Sequence, residues 1–393
     1  MFDTAKSEGE QRMREGWEYK RLGELCDIVM GQSPMGNSIN ENNGIEFHQG
    51  KTNFGDKFLM ESGIYTTSPI RIAEKKTILL CVRAPVGIIN ITERQVCIGR
   101  GLSSLKPRLG LELLYLYYCL LSKQNYFESN STGSTFKAIS SKVINNTIIQ
   151  FPPKPTQLSI VSELDKLNEL IQIKKEQLKD YDALAQSIFY EMFGDPVENE
   201  KGWEVMLLAD VCHSITDGDH MPPPKTDSGI PFLTISNINK ETRILDFSDT
   251  FFVPQSYYVA LKESRKPMEN DLLYTVTGSY GIPVVVDGKN SFCFQRHIAL
   301  LRPNVDKVLT LYLCYWCLCP SIKQVADKVA TGIAQKTVSL TSLRKFSIIL
   351  PPLPLQQSFV HKIEQIERQK AAVQSTITDL ETLLAARMQY WFD

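Results

Sequence analysis

Apolar residues recur in steps of three and four through the middle of the chain. They fall at Leu164, Leu167, Ile171, Leu178, Tyr181, Ala185, Ile188 and Met192, with mostly polar residues between them. This spacing predicts one long amphipathic helix whose apolar stripe drifts as a coiled-coil seam does. Lys174 is the one charged residue in register with the seam. Pro152, Pro153 and Pro155 precede the helix, with Pro155 placed just outside its start, and Gly194 and Pro196 follow its end. About 38 residues at 1.5 Å each make a rod of roughly 57 Å. A lone helix of that length has too little around it to bury one face, so it needs a partner.

The same pattern returns 199 positions later. Leu350-Pro351-Pro352-Leu353-Pro354-Leu355-Gln356 repeats Phe151-Pro152-Pro153-Lys154-Pro155-Thr156-Gln157, and Ile363, Ile366, Val373, Ile377, Leu380 and Leu384 repeat the seam. Lys370 stands where the first helix has Ile171. The two helices are therefore expected to pair with each other, antiparallel, rather than to pack separately.

The repeat extends over the blocks ahead of the helices. Gly16-Trp17-Glu18 returns as Gly202-Trp203-Glu204, Cys97, Arg100 and Pro107 as Cys293, Arg296 and Pro303, and Thr132-Gly133 with Lys137 as Thr331-Gly332 with Lys336. Two copies of one unit usually pack with pseudo-symmetry. Short β-rich runs (76–83, 86–92, 272–276, 282–286) alternate with turns. One helical run follows in each copy (111–122, 308–319), and a final strand (146–151, 345–350) leads into the prolines. The predicted class is α+β. Two pseudo-symmetric globular domains, 16–151 and 195–350, are separated by long helices at 152–194 and 351–393 that form an antiparallel intramolecular coiled coil, after a tail at 1–15.

Composition adds limits. Hydrophobic content of 43% and charged content of 22% are those of an ordinary globular protein. The opening residues lack the apolar core of a signal peptide, and no apolar run approaches a membrane span, so the expected location is the cytoplasm. Nine scattered cysteines read as reduced core thiols. The net charge of −1 does not announce a nucleic-acid binder, but it is unevenly spread. Residues 16–150 carry four more basic than acidic side chains, and residues 151–201 four more acidic than basic. A local basic face is permitted, and partners are expected to share phosphate contacts.

Taken in order and duplicated, several motifs resemble the specificity subunits of type I restriction-modification systems. They are Gly16-Trp17-Glu18 with Leu22-Gly23-Glu24-Leu25, Gly31-Gln32-Ser33-Pro34, Thr132-Gly133-Ser134 and Pro152-Pro153-x-Pro-x-Gln, with their second-copy counterparts. One departure is Thr216-Asp217-Gly218-Asp219-His220-Met221, which keeps a glycine near the place of Gly31 but loses the Ser-Pro step. The resemblance implies two target-recognition domains, each reading half of a bipartite double-stranded DNA site. It also implies docking of two modification (methyltransferase) subunits and, through these, of restriction (endonuclease and translocase) subunits. S-adenosylmethionine, ATP and Mg would belong to those partners, and this chain would hold no catalytic centre, cofactor or metal.

The residues agree with that division of labour. No Pro-Pro step follows Asn or Asp, as an adenine methyltransferase would require, and no Gly-x-x-x-x-Gly-Lys-Ser/Thr loop is present. Cys314-x-x-Cys317-x-Cys319 invites a zinc reading but lacks a second ligand pair, so core thiols are the stronger alternative. DNA reading needs side chains for base edges and donors for phosphates. Thr132, Gly133, Ser134, Thr135 and Lys137 supply hydroxyls, amides and a cation. Gly332, Gln335 and Lys336 repeat the loop, where Gln335 suits adenine. An ordinary capping loop is the competing reading. Further candidates are Gln32, Ser33, Lys51 and Asn53, with Ser236 and Asn237 as counterparts. Arg83 and Ser279-Tyr280 are placed at a turn between strands, against solvated loops as the alternative. For Arg100 and Arg296 a structural ion pair competes evenly with DNA contact. A repeat scaffold for protein or sugar is the second functional reading.

Overall fold

A computed structural model describes residues 14, 16–133, 137–221, 223–333 and 335–393. The described chain falls into two compact units, Met1–Ile173 with Thr376–Asp393, and Lys174–Ser375.

In the first unit, Leu102–Pro107 is the central strand of an antiparallel sheet. It is flanked by Cys26–Met30 on one side and by Thr77–Cys81 and then Ile89–Thr92 on the other. Thr77–Cys81 is buried throughout, which explains why its run is apolar rather than alternating. A second sheet of short strands centres on Ile45–His48, which pairs in parallel with Val96–Ile98 through Phe47↔Cys97 and His48↔Ile98. The helix Leu113–Ser122 covers the main sheet and buries Tyr115, Leu116 and Leu120. The final strand, Ile148–Phe151, stays out of the main sheet. It pairs with Glu18–Arg21 in a separate antiparallel ribbon, which ties the Gly-Trp-Glu opening to the proline entry of the long helix.

The second unit repeats this plan. Ile298–Pro303 is central between Cys212–Asp217 and Leu272–Thr275, with Pro283–Val285 outside. Ile230–Leu233 pairs in parallel with Cys293–Phe294, and Glu204–Leu207 pairs with Ser347–Leu350. Thr310–Leu318 is the covering helix.

The long helices are Lys154–Phe193 and Leu353–Phe392, each 40 residues. Pro155 lies inside the first turn, not before it, where its missing N–H costs nothing. Within the first unit, Ile160, Val161 and Leu164 share a core with Leu384, Met388, Trp391 and Phe392. Within the second, Ala185, Phe189 and Phe193 share one with Phe359, Ile363 and Ile366. The start of one helix thus meets the end of the other in each unit, the antiparallel arrangement. Ile171, Val373 and Ile377 are buried, while Leu167, Leu178, Tyr181, Ile188, Met192, Leu380 and Leu384 are half-buried. Lys370 is held by Asp182 at 2.8 Å and Glu367 at 3.1 Å, and Lys174 by Gln177 at 3.0 Å. The sequence pattern passed over Phe189, Phe193 and Phe359, which pack ring on ring with Tyr312. These aromatics leave the seam to plug the domain core.

The glutamine of each proline motif now has a reason. Gln157 is fully buried, and its Nε2 donates to the carbonyls of Pro152 (2.9 Å) and Gly110 (3.0 Å). Its Oε1 accepts from the Glu112 amide at 2.9 Å. Gln356 repeats the set on Pro351, Lys307 and Leu309.

Candidate nucleic-acid interface

In the first unit the strand Val96–Ile98 of the smaller sheet is joined to the central strand of the main sheet by one tight turn, Gly99-Arg100-Gly101-Leu102. Leu102 N–H donates to Gly99 O at 3.0 Å and closes it. Three loops hold the turn and the residue before it through four main-chain bonds. Gln32 donates to Ile98 O (2.9 Å), Gly31 to Leu102 O (2.9 Å), Gly99 to His48 O (2.7 Å) and Val82 to Gly101 O (2.9 Å). Next to it, Ala84 N–H donates to Lys137 O at 3.0 Å, and Arg83 bridges Ala138, so the Thr132–Ala138 loop is fastened to the Arg83 turn. Gln32, Ser33, Lys51, Arg83, Arg100, Thr132, Gly133 and Lys137, scattered over about a hundred residues of sequence, are thereby gathered on linked loops. Ser134 and Thr135 lie outside the described residues. The backbones approach so closely that a Cβ on Gly31 would sit 2.2 Å from Gly99 O, which accounts for a glycine there.

The second unit builds the same turn from Gln295-Arg296-His297-Ile298, closed by Ile298 N–H to Gln295 O at 3.1 Å. Gln295 donates to Leu233 O (3.0 Å), Arg296 to Asp219 O (3.2 Å) and Val276 to His297 O (2.9 Å). Gly278 donates to Lys336 O at 2.9 Å, and Thr277 bridges Thr337, so the Gly332–Lys336 loop is fastened in the same way. Gly218 does occupy the role of Gly31, since a Cβ there would sit 1.9 Å from Phe294 O.

The electrostatics of the face are simple. Lys51, Arg83, Arg100, Lys137, Arg296 and Lys336 are exposed, and none makes a side-chain hydrogen bond or ion pair with another described residue. Among the described residues, the structural ion pair weighed for Arg100 and Arg296 is therefore not formed. Gln32 and Gln335 are exposed as well, and Ser33 Oγ lies 3.5 Å from the Arg100 amide.

Three candidates have bonds within the fold. Asn237 is buried, accepts from the Thr234 amide at 2.9 Å, and donates to Asp246 O (3.1 Å) and Asp249 O (2.8 Å). Its amide shapes the loop, while neighbouring Ser236 is exposed and bonded to Thr234 Oγ1 at 2.6 Å. Tyr280 is buried, and donation of its hydroxyl to Asp327 (2.7 Å) raises its pKa. Beside it, Ser279 lends its carbonyl to Thr275 Oγ1 at 2.7 Å. Asn53 caps its own loop through Glu61 O at 3.1 Å.

Features that the sequence did not single out support this face from beneath. Glu46 is buried and receives Arg94 twice, at 2.6 and 2.9 Å, the Ser62 amide at 2.6 Å and His48 Nε2 at 2.9 Å. Burial opposes its ionisation, yet these donors hold its carboxyl down at about 2. Burial also pulls His48 below its usual value, against the attraction of Glu46. In the second unit Asp217 and Asp219 flank Arg265 at 3.3 and 3.7 Å, and Tyr257 bonds Asp219. The long helices brace each domain: Asp165 accepts from Lys57 (2.7 Å) and Tyr118 (2.5 Å), and Asp182 from Arg243 (2.6 Å). Cys314, Cys317 and Cys319 lie in the core of the second unit. Burial pushes Cys314 up to about 12, and Cys319 Sγ accepts from Gln186 at 3.3 Å. Among the described residues no His, Cys, Asp and Glu cluster could hold a metal ion, and no helix is long and apolar enough to cross a membrane.

The family model described as the type I restriction modification DNA specificity domain matches twice, at residues 14–180 and 200–382. The type I restriction enzyme MjaIX specificity subunit of Methanocaldococcus jannaschii is 24% identical over 393 residues, covering 90% of this chain and 87% of that one. The putative MjaX specificity subunit of the same organism is 34% identical over 178 residues, 44% of this chain and 42% of that one. The S subunit of a type I restriction-modification system from M. genitalium superposes with a TM-score of 0.53 at 15% identity, over 98% of both chains. A chain from a study of complex assembly and conformational transition of the type I system reaches 0.61 at 19% identity, over 97% and 99%.

Proposed function

The chain belongs to the type I restriction-modification DNA specificity family, and from that premise we propose that it supplies sequence recognition and no reaction of its own. Each unit reads one half of a bipartite double-stranded DNA site with the loops around its Arg100 or Arg296 turn. The observation that carries this reading is the duplication of that face. Two copies, diverged in sequence, keep the same clamped turn, the same fastened loop and exposed cations with no hydrogen bond or ion pair among the described residues. An exposed cation that no side chain pairs is available to phosphates and base edges.

The helices are the second functional part. They set the gap between half-sites and offer faces away from their cores to methyltransferase subunits, which in turn recruit restriction subunits. S-adenosylmethionine, ATP and Mg act in those partners, and the assembly works in the cytoplasm. The family match sets aside the protein- or sugar-binding scaffold.

Methylation-sensitive sequencing of DNA from cells expressing the chain with its methyltransferase tests this. The expected result is a modified bipartite motif with a fixed gap that disappears when the chain is deleted. Modification that persists unchanged without the chain refutes it.

A further inference from the structure

We propose that Arg100 and Arg296 are the matched guanine readers of the protein, one in each half-site, each addressing O6 and N7 in the major groove. The inference rests on the DNA-reading function above and adds the base and the side chain.

Position is the first argument. In both units the arginine occupies the second residue of the turn that joins the central strand of the main sheet to a strand of the smaller one. It is flanked by the loops that carry Gln32 and Lys137 in one copy, and Asp219 and Lys336 in the other.

Preorganisation is the second. The turn and the residue before it are bonded through main-chain groups to the loops around them, with the amides of Gly31, Gln32 and Val82 donating 2.9 Å bonds in the first unit. Its backbone is held by these bonds, whereas the guanidinium is exposed and bonded to no described residue. A side chain required by the fold would be engaged; these two are held at the root and left open at the tip. A fixed root lowers the ordering cost of binding. A guanidinium presents two parallel N–H donors in a rigid fork, which match the O6 and N7 acceptors of guanine. A flexible phosphate contact would need neither the clamp nor the fork.

Contrast within the molecule is the third argument. Lys51 lies on a neighbouring loop without a cation at the matching place, and Lys137, though repeated as Lys336, sits on a fastened loop rather than at the closed turn, as positioning contacts do. At the turn, residues on either side change between copies (Gly99 to Gln295, Gly101 to His297), yet the arginine does not.

The proposal makes a demand on the wild-type protein first. Each half-site must contain a G·C pair, and replacing its guanine with 7-deazaguanine, which lacks N7, must weaken binding by the chain–methyltransferase complex. Arg100→Ala should relax one G·C position in one half-site, with binding to the cognate duplex about 10- to 100-fold weaker. The other half and the gap should be unchanged, and Arg296→Ala should do the reverse. Arg100→Lys should fail to restore selectivity, and the 7-deazaguanine penalty should vanish in Arg100→Ala. Thermal unfolding checks that each variant is folded, and the wild-type analogue experiment stands if one is not. A half-site without G·C, an undiminished analogue penalty in Arg100→Ala, or uniform weakening over all sequences with an unaltered motif would each overturn the assignment. If the wild-type chain directs no motif at all, the DNA-reading function itself falls, and this assignment with it.

Discussion

Replacing Gln157 with leucine tests how the long helix is joined to its domain. The side chain is fully buried and makes three hydrogen bonds, two donated to the Pro152 and Gly110 carbonyls and one accepted from the Glu112 amide. Leucine has nearly the same volume, so little cavity is created and the loss is that of the polar contacts. A buried donor left without a partner costs about 1–3 kcal/mol, and two abandoned carbonyls add to it, so the expected destabilisation is about 3 kcal/mol. At roughly 2–4 °C per kcal/mol for a unit of this size, the midpoint should fall by about 6–12 °C. Thermal unfolding followed by tryptophan fluorescence measures it, with Trp17 and Trp391 stacked in the same unit as reporters. Gln157→Glu should be worse than leucine. A carboxylate can accept from Glu112 but has no proton for the two carbonyls it would face. A loss under about 1 kcal/mol in both variants, or a glutamate milder than leucine, would refute the reasoning. Gln356→Leu should reproduce the effect, since it makes the same three bonds.

Three further expectations come from other parts of the molecule. Glu46→Gln should lower stability at neutral pH. It should also flatten the dependence of the urea midpoint on pH: a carboxyl held at about 2, against an ordinary 4.5, stabilises above 4.5 and loses that contribution as pH falls towards 2. Lys137→Ala should weaken DNA binding evenly over sequences and reduce the slope of log K against log salt by about 0.9, measured by titration at several salt concentrations. Inserting one heptad in both long helices should lengthen the allowed gap by about three base pairs, from about 10 Å of added helix and 3.4 Å per pair, without altering the half-sites. Motif sequencing reads this outcome, and an unaltered gap would count against the helices as its measure.

The sequence showed most of this architecture because its signals were duplicated. A run such as Thr77–Cys81 is ambiguous alone, and its echo at Leu272–Thr275 fixes it. Prolines and glycines marked the helix ends to within a residue or two, missing only that Pro155 belongs inside the first turn. What stayed hidden depended on contacts far apart in the chain. The parallel pairing of Phe47 with Cys97 has no local signature. Asn237 and Gln32 look alike as loop amides, and only burial distinguishes one that holds its own loop from one that faces outward. Tyr280 reads as an exposed turn residue until Asp327 arrives from 47 positions away. Arg100 could not be separated from an ion-paired arginine until it was seen to make no ion pair among the described residues.

The way the Arg100 turn is held has a bearing on descent. Its clamps are main-chain bonds which, apart from the glycines that let the backbones approach, do not depend on the side chains that happen to occupy the loops. Substitutions at Gln32, Lys51 or Lys137 can therefore accumulate without touching what keeps the turn in place, and a lineage can drift from one target to another through intermediates that all fold. The second unit has surrendered part of that freedom at Asn237, whose side chain is itself a strut. Among related chains, the loops of the first unit should vary more than the Thr234–Asn237 segment of the second, and new targets should arise there with fewer compensating changes.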